Sequence, residues 1–333
     1  MKNYKKTDTT LWTGRISDDQ LYLHEKIKCV NLENKILSKP KKQSFTLLGY
    51  TCDEGVKRNH GRIGAVKGPD HIRKMLATLS NHFNDQIDIL DVGNITCEQG
   101  NLEDTQLETS NIIASLLQHQ NFPIILGGGH DLAYAHYNGI KKQFPNKKIG
   151  IINLDAHFDL RKTANQGTSG TPFYQISKEN DSFNYLCLGI QKASNNKELY
   201  KIANELNVRY LENTEYTIQN KNNIATVVQN FIAKVDYIYL TIDLDGFSSA
   251  LAPGVSAPSP FGFSVDIAME TIKWICNSTK LISADIVEFN PKYDIDNCTA
   301  RLASRLVNHI IECILMNNFC NRDYPKAINT EEK

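Results

Sequence analysis

Short apolar runs alternate along this chain with longer amphipathic stretches. Runs such as 123–126 (PIIL), 149–154 (IGIINL) and 237–242 (YIYLTI) are continuously apolar. That pattern suits strands covered by helices on both faces rather than a sheet with one wet side. Strands are predicted at 45–48, 87–90, 123–126, 148–154, 185–188, 208–211, 237–242 and 281–287. Helices are predicted at 69–79, 105–117, 132–143, 196–206, 224–235, 265–276 and 299–316. Strand–helix alternation over most of the chain predicts a single doubly wound α/β domain with a mostly parallel sheet of about eight strands. Residues 1–42, polar, lysine-rich and ending in KPKK, read as an N-terminal extension joined by an exposed linker. Residues 43–320 form the predicted domain and 321–333 a C-terminal tail.

Composition narrows the partners. Lys+Arg and Asp+Glu both number 37, so the net charge is zero. Nothing favours nucleic acid or an anionic membrane surface as a partner. The 41% of hydrophobic residues can build a sizeable core. Eight scattered cysteines without a C-x-x-C pair read as reduced thiols. The segment MKNYKKTDTT lacks the apolar core of an export signal. No run approaches the roughly 20 apolar residues that cross a bilayer. The expected location is cytoplasmic.

In a doubly wound sheet, ligands collect beyond the carboxyl ends of the strands. PIIL runs into GGGHD (127–131), IGIINL into DAHFD (155–159), YIYLTI into DLD (243–245) and LISADIV into EFNP (288–291). Asp155, His157 and Asp159 stand at i, i+2 and i+4, a spacing that shares one face of a strand just ending. Asp243 and Asp245 repeat the i, i+2 step. With His130 the set holds two imidazoles and four carboxylates, a mixture suited to Mn²⁺ rather than to thiolate-preferring zinc. Four carboxylates offset two dications, which bridging carboxylates can hold about 3.5–4 Å apart. Taken singly, His130 can be a turn histidine and Asp243/Asp245 a capping pair. Three ionisable groups ending an apolar strand are harder to explain without a partner. The glycines Gly127–Gly129 lack a phosphate-loop lysine and read as a tight turn aiming His130.

GGGHD, DAHFD and TIDLDGFSSALAPGVSAPSP, with DEGVKRNHGRIGAVKGPDHIRKML (53–76) and VEFNPKYDIDNCTARLASRL (287–306), resemble the ureohydrolases, the arginase and agmatinase superfamily. LWTGRIS (11–17), SGTPF (169–173) and APGVSAP (252–258) resemble its formimidoylglutamase branch. The resemblance implies an arginase-like three-layer α/β/α fold, two Mn²⁺ per subunit, and homo-oligomers, commonly trimers or hexamers. It implies cleavage of N-formimidoyl-L-glutamate to L-glutamate and formamide; the alternative is an agmatinase- or arginase-type guanidino hydrolase releasing urea. By the same resemblance His130, Asp155, Asp159 and Asp243 hold one manganese. Asp155, His157, Asp243 and Asp245 hold the other. Asp159 orients the attacking water and serves as general acid, and Glu288 grips the formimidoyl nitrogens.

Two departures bear on the substrate. Ser169 stands where arginases and agmatinases carry a histidine. Arg161 stands where arginases use a neutral amide near the substrate carboxylate, and its planar fork suits a dicarboxylate amidine better than cationic agmatine. Gln191, Lys192, Asn195 and Asn196, which follow the strand YLCLGI, are candidates to complete that carboxylate pocket. A noncatalytic relative would lack one of the six ligands, and none is missing. A deacetylase-like hydrolase would carry a His-His pair, and His157 has no histidine neighbour.

Overall fold

The computed structural model describes residues 2–34 and 37–319, with side chains as far as Met316. The predicted tail at 321–333, and the last residue of the predicted domain, lie outside the described residues. All eight predicted strands form: β3 (Gln43–Thr51), β4 (Ile87–Thr96), β5 (Phe122–Leu126), β6 (Ile149–Leu154), β7 (Asn184–Ile190), β8 (Arg209–Glu212), β9 (Tyr237–Asp243) and β10 (Leu281–Val287). Two strands of two residues each, β1 (Tyr4–Lys5) and β2 (Lys28–Cys29), bring the sheet to ten. The order is β1-β4-β3-β5-β10-β9-β6-β7-β8, with β2 also on β4; only the β1–β4 pairing is antiparallel.

Successive side chains of a strand point to opposite faces, and here both faces are dry. Phe45 and Leu47 of β3, Ile124 and Leu126 of β5, and Ile238, Leu240 and Ile242 of β9 enter one apolar cluster. Helices α3 (Gly68–Ala77), α8 (Lys221–Ile232), α9 (Val265–Asn277) and α10 (Cys298–Phe319) cover it, through residues such as Ile72, Val228, Ile272 and Val307. Leu48, Tyr50, Ile125, Ile151 and Tyr239 enter the other cluster. That face is covered by α4 (Leu102–Gln118), α5 (Leu132–Gln143), α6 (Pro172–Glu179) and α7 (Lys197–Glu205). This is the three-layer sandwich that continuous apolar strands demand. Helix α6 is not among the predicted helices. It is only eight residues long, opens on Pro172, and buries Phe173 and Ile176. Two further short helices, α1 (Leu23–Lys26) and α2 (Glu54–Arg58), also escape the periodic pattern.

Residues before the sheet pack onto it. β1 and β2 line the edge of β4, covering a row of backbone groups that would otherwise stay open to another chain. Trp12 is buried and its indole Nε1 donates to Asp91 Oδ2 at 2.7 Å. The same carboxylate takes both arms of the fully buried Arg73 guanidinium, at 2.8 and 2.9 Å. Among the described residues no helix is long and apolar enough to cross a membrane, and seven cysteines are free thiols.

The chain leaves β5 and re-enters at β6, three positions along the sheet, and only later fills the gap with β9 and β10. The four segments singled out in the sequence therefore follow four adjacent strands, β5, β10, β9 and β6.

Candidate metal centre

The GGGHD turn is built for position. Gly127 and Gly128 hold φ of 73° and 76°, a region where side chains with a Cβ are strained. A Cβ on Gly127 would stand 2.7 Å from Pro69 Cδ, and one on Gly128 2.6 Å from the Tyr50 carbonyl. The Gly127 and Gly129 N–H groups donate to the carbonyls of Ile286 (2.7 Å) and Cys52 (3.0 Å). With those donors occupied the turn cradles no phosphate; it ties β5 to β10 and β3 and aims His130.

The DAHFD segment converges for a different reason from the one its spacing suggests. β6 ends at Leu154, so residues 155–159 are not on a strand face. They open a loop that runs to α6, with Asp159 in the left-handed region at φ 49°. Glu288, after β10, is also left-handed at φ 63°. Backbone strain of this kind persists where the surroundings fix it, and here it accompanies two inward-facing carboxylates.

Three carboxylate oxygens meet one ring nitrogen. His130 Nδ1 lies 3.2 Å from Asp155 Oδ2, 3.0 Å from Asp159 Oδ2 and 3.1 Å from Asp243 Oδ2. His157 Nδ1 lies 3.3 Å from Asp245 Oδ2 and 3.5 Å from Asp155 Oδ1. Two sets able to hold a cation result: His130, Asp155, Asp159 and Asp243, and Asp155, His157 and Asp245, each with its ligand atoms within 4.8 Å of one another. Asp155 belongs to both. Asp243 falls only in the first, so its expected bridging role is not part of this geometry. The capping and ligand readings of Asp243 hold together: Oδ1 accepts the Asp245 N–H at 2.8 Å while Oδ2 faces His130.

Charge explains what the cluster lacks. Asp155, Asp243, Asp245 and Glu288 are all buried, with Asp159 beside them. Burial raises the carboxyls of Asp243 and Glu288 well above the usual carboxylate range, with neighbouring anions adding to the effect. It lifts Asp245 to about 6 and raises Asp159 as well. Burial acts against Asp155 too, but the imidazoles of His130 and His157 beside it hold it below the usual range. Burial disfavours the charged imidazoles, yet the surrounding carboxylates push both far above their ordinary values. The site therefore demands positive charge. His130 Nε2 sits 3.0 Å from Thr241 Oγ1. A proton on Nε2 leaves Nδ1 as a bare lone pair among three anionic oxygens, with no hydrogen-bond partner of its own. Acceptors crowded round one point fit a divalent cation, and an imidazole fixed from its far side is the usual arrangement of a metal ligand.

The remaining candidates separate into two groups. Arg161 and Lys192, both exposed, line a cavity of about 540 Å³ with Asn195, Asn196 and Tyr200, and among the described residues Arg161 has no ion-pair partner. Ser169 is buried, and its N–H donates to the Gly55 carbonyl at 3.0 Å. Gln191 is buried with Nε2 unpartnered. Two of the lining residues turn side-chain polar atoms to backbone instead. Asn196 Oδ1 caps α7 through the Leu199 N–H (3.1 Å). Asn195, against its expected carboxylate contact, gives both amide N–H groups to backbone carbonyls. Glu288 Oε1 accepts the His130 N–H at 2.8 Å.

Two contacts at the centre are absent from the sequence reading. Phe173 sets its ring edge-on to His130 at 5.3 Å and stacks on Tyr185 at 4.4 Å. Thr241 lies two residues before Asp243, on the same face of β9, and that spacing was the available signal. Other motif residues lace the rim. Arg62 donates to the carbonyls of Val255 and Ser256 and stacks on Tyr293 at 3.8 Å, and Asn290 donates to the Arg62 carbonyl.

Comparison with known proteins places the fold in a family. The model of the Arginase family matches residues 43–312. The formimidoylglutamase of Clostridium tetani is 41% identical over 326 residues, spanning 94% of this chain and 96% of that protein. That of Vibrio parahaemolyticus is 43% identical over 312 residues, with 89% and 91% covered. The crystal structure of formimidoylglutamase from Bacillus subtilis superposes with a TM-score of 0.78 at 23% identity, covering 91% of this chain and 94% of that one, a likeness of fold. The Trypanosoma cruzi formiminoglutamase, solved with Mn²⁺, gives 0.73 at 25% identity over 81% and 93%.

Proposed function

The chain belongs to the arginase family, and on that footing we propose that it hydrolyses N-formimidoyl-L-glutamate to L-glutamate and formamide at a pair of manganese ions. The observation that carries this reading is the buried convergence of His130 Nδ1 with Asp155, Asp159 and Asp243, joined through Asp155 to His157 and Asp245. Its support on the substrate side is the identity of about 40% with formimidoylglutamases over nearly the full length of both chains.

His130, Asp155, Asp159 and Asp243 would hold one ion, and Asp155, His157 and Asp245 the other. Two dications lower the pKa of bound water and so supply a nucleophile at neutral pH. Water adds to the formimidoyl carbon, the bond to the glutamate nitrogen breaks, and formamide keeps the new oxygen. Asp159, whose carboxyl is raised by burial, is suited to take the proton of the attacking water and return it to the departing amine. Glu288 Oε1 is occupied by the His130 N–H, leaving its other oxygen for the amidinium nitrogens. Arg161 and Lys192 supply two cations at the neighbouring cavity, matched to the two carboxylates of the substrate and opposed to a cationic guanidine. Ser169 and Gln191 complete the proposed pocket, Gln191 through its unpartnered buried Nε2.

Offering the Mn²⁺-loaded protein formimidoylglutamate, agmatine and arginine in parallel tests the assignment. Formamide and glutamate from the first, with no urea from the others, is the expected outcome. Urea release from agmatine or arginine in preference would overturn it.

A further inference from the structure

Residues 155–159 carry three candidate ligands on backbone that no strand supports, since β6 ends at Leu154. Unpaired backbone groups in a buried loop need partners, and one side chain supplies two of them, one on each side of His157. Asn195 Nδ2 donates to the Ala156 carbonyl at 2.8 Å, and its Oδ1 accepts the Phe158 N–H at 3.0 Å. Ala156 and Phe158 flank His157, so a single amide grips both of that residue's neighbours. The second Nδ2 hydrogen goes to the Gln191 carbonyl at 2.8 Å, and the Gln191 N–H returns to the Ala156 carbonyl at 2.9 Å. On the far side of the loop the Tyr185 hydroxyl donates to the Phe158 carbonyl at 3.1 Å.

We propose that Asn195 is a positioning residue for the metal-binding loop, acting on His157 through the peptides either side of it. The side chain is 5% exposed and both of its donor hydrogens are taken. A carboxylate accepts hydrogen bonds and donates none, so Asn195 has nothing left to offer a glutamate-like ligand. His157 is the more dependent of the two imidazoles. It is 22% exposed, whereas His130 is 1% exposed and fixed by Thr241 and Phe173. Loss of the brace therefore falls chiefly on the ion shared by Asp155, His157 and Asp245.

The inference rests on reading 155–159 as a metal loop, and Mn²⁺ titration of the chelator-stripped full chain tests both without any substrate. Asn195→Ala should weaken one of two Mn²⁺ sites by about 10–100-fold, the range for partners that orient metal ligands, and weaken the other clearly less. Asn195→Asp keeps the acceptor but sets an anion against two carbonyls, and should weaken the same site. Tyr185→Phe removes only the hydroxyl and should shift that site in the same direction by less. The melting midpoint in excess chelator, compared between wild type and Tyr185→Phe, separates this from a folding defect and should differ little. Wild-type Mn²⁺ affinity at both sites of Asn195→Ala would overturn the proposal, and a raised KM for formimidoylglutamate beside it would make Asn195 a substrate contact. Equal weakening of both sites would overturn it too. A wild-type chain that binds no Mn²⁺ would instead defeat the metal reading itself.

Discussion

Asp243 divides its two oxygens between tasks: one caps the turn through the Asp245 N–H, the other faces His130. Asp243→Asn keeps an acceptor for the cap and removes the charge. It should bind Mn²⁺ weakly and lose at least about a thousandfold in turnover, since several kcal/mol of metal stabilisation convert at about 1.4 kcal/mol per decade. Metal content and kcat measured together check this, and near-normal turnover would remove Asp243 from the site. Arg161 acts through the substrate alone. Arg161→Ala should raise KM for formimidoylglutamate by about tenfold, the lower end for a charge-assisted hydrogen bond at an exposed position, with kcat within about threefold. An unchanged KM would take Arg161 out of the pocket. The six-residue cluster was legible because ionisable groups ending apolar strands are costly without partners. Asn195 was not, because sequence places a side chain near a site without saying which way it turns. Thr241 and Phe173 were hidden for a plainer reason: a strand threonine and a buried phenylalanine carry no chemical signal apart from their neighbours.

Continuous apolar runs marked the central strands β5, β6 and β9, since burial on both faces favours no other composition. Elements too short to show a period escaped: β1, β2, α1, α2 and α6. Spacing misled at DAHFD, where an i, i+2, i+4 pattern that imitates a strand face belongs to a turned loop. The N-terminal segment shows the same limit. LWTGRIS stands out as a motif, but only the fold reveals that Trp12 completes the buried Asp91–Arg73 pair. Asp91→Ala leaves the fully buried guanidinium with only the half-exposed Asp70 carboxylate, at 3.4 Å, and should cost about 3–5 kcal/mol in a urea melt. Replacing both partners, Asp91→Leu with Arg73→Met, should cost less than Asp91→Ala alone. Equal losses would show that the pair is not the source of the effect.

The order of ten strands places the ends of β5, β10, β9 and β6 side by side, and no local pattern reveals that order. It follows from the crossover that leaves room for two strands at the centre of the sheet, and there five carboxylates gather in one buried place. Such a cluster opposes folding until cations neutralise it, so stability and metal content are linked. Stripping with a chelator should lower the melting temperature and Mn²⁺ should restore it. Each ion contributes about 2.7 kcal/mol when present at a hundred times its Kd. A melting temperature indifferent to Mn²⁺ would mean the cluster finds its positive charge elsewhere. Two ions that share Asp155 must also lie close enough to couple magnetically. Electron paramagnetic resonance of the chain titrated with Mn²⁺ should therefore show an exchange-coupled pair, saturating at two ions per chain as the two ligand sets require. The spectrum of isolated Mn²⁺, saturating at a single ion, would contradict the binuclear centre on which the proposed reaction depends.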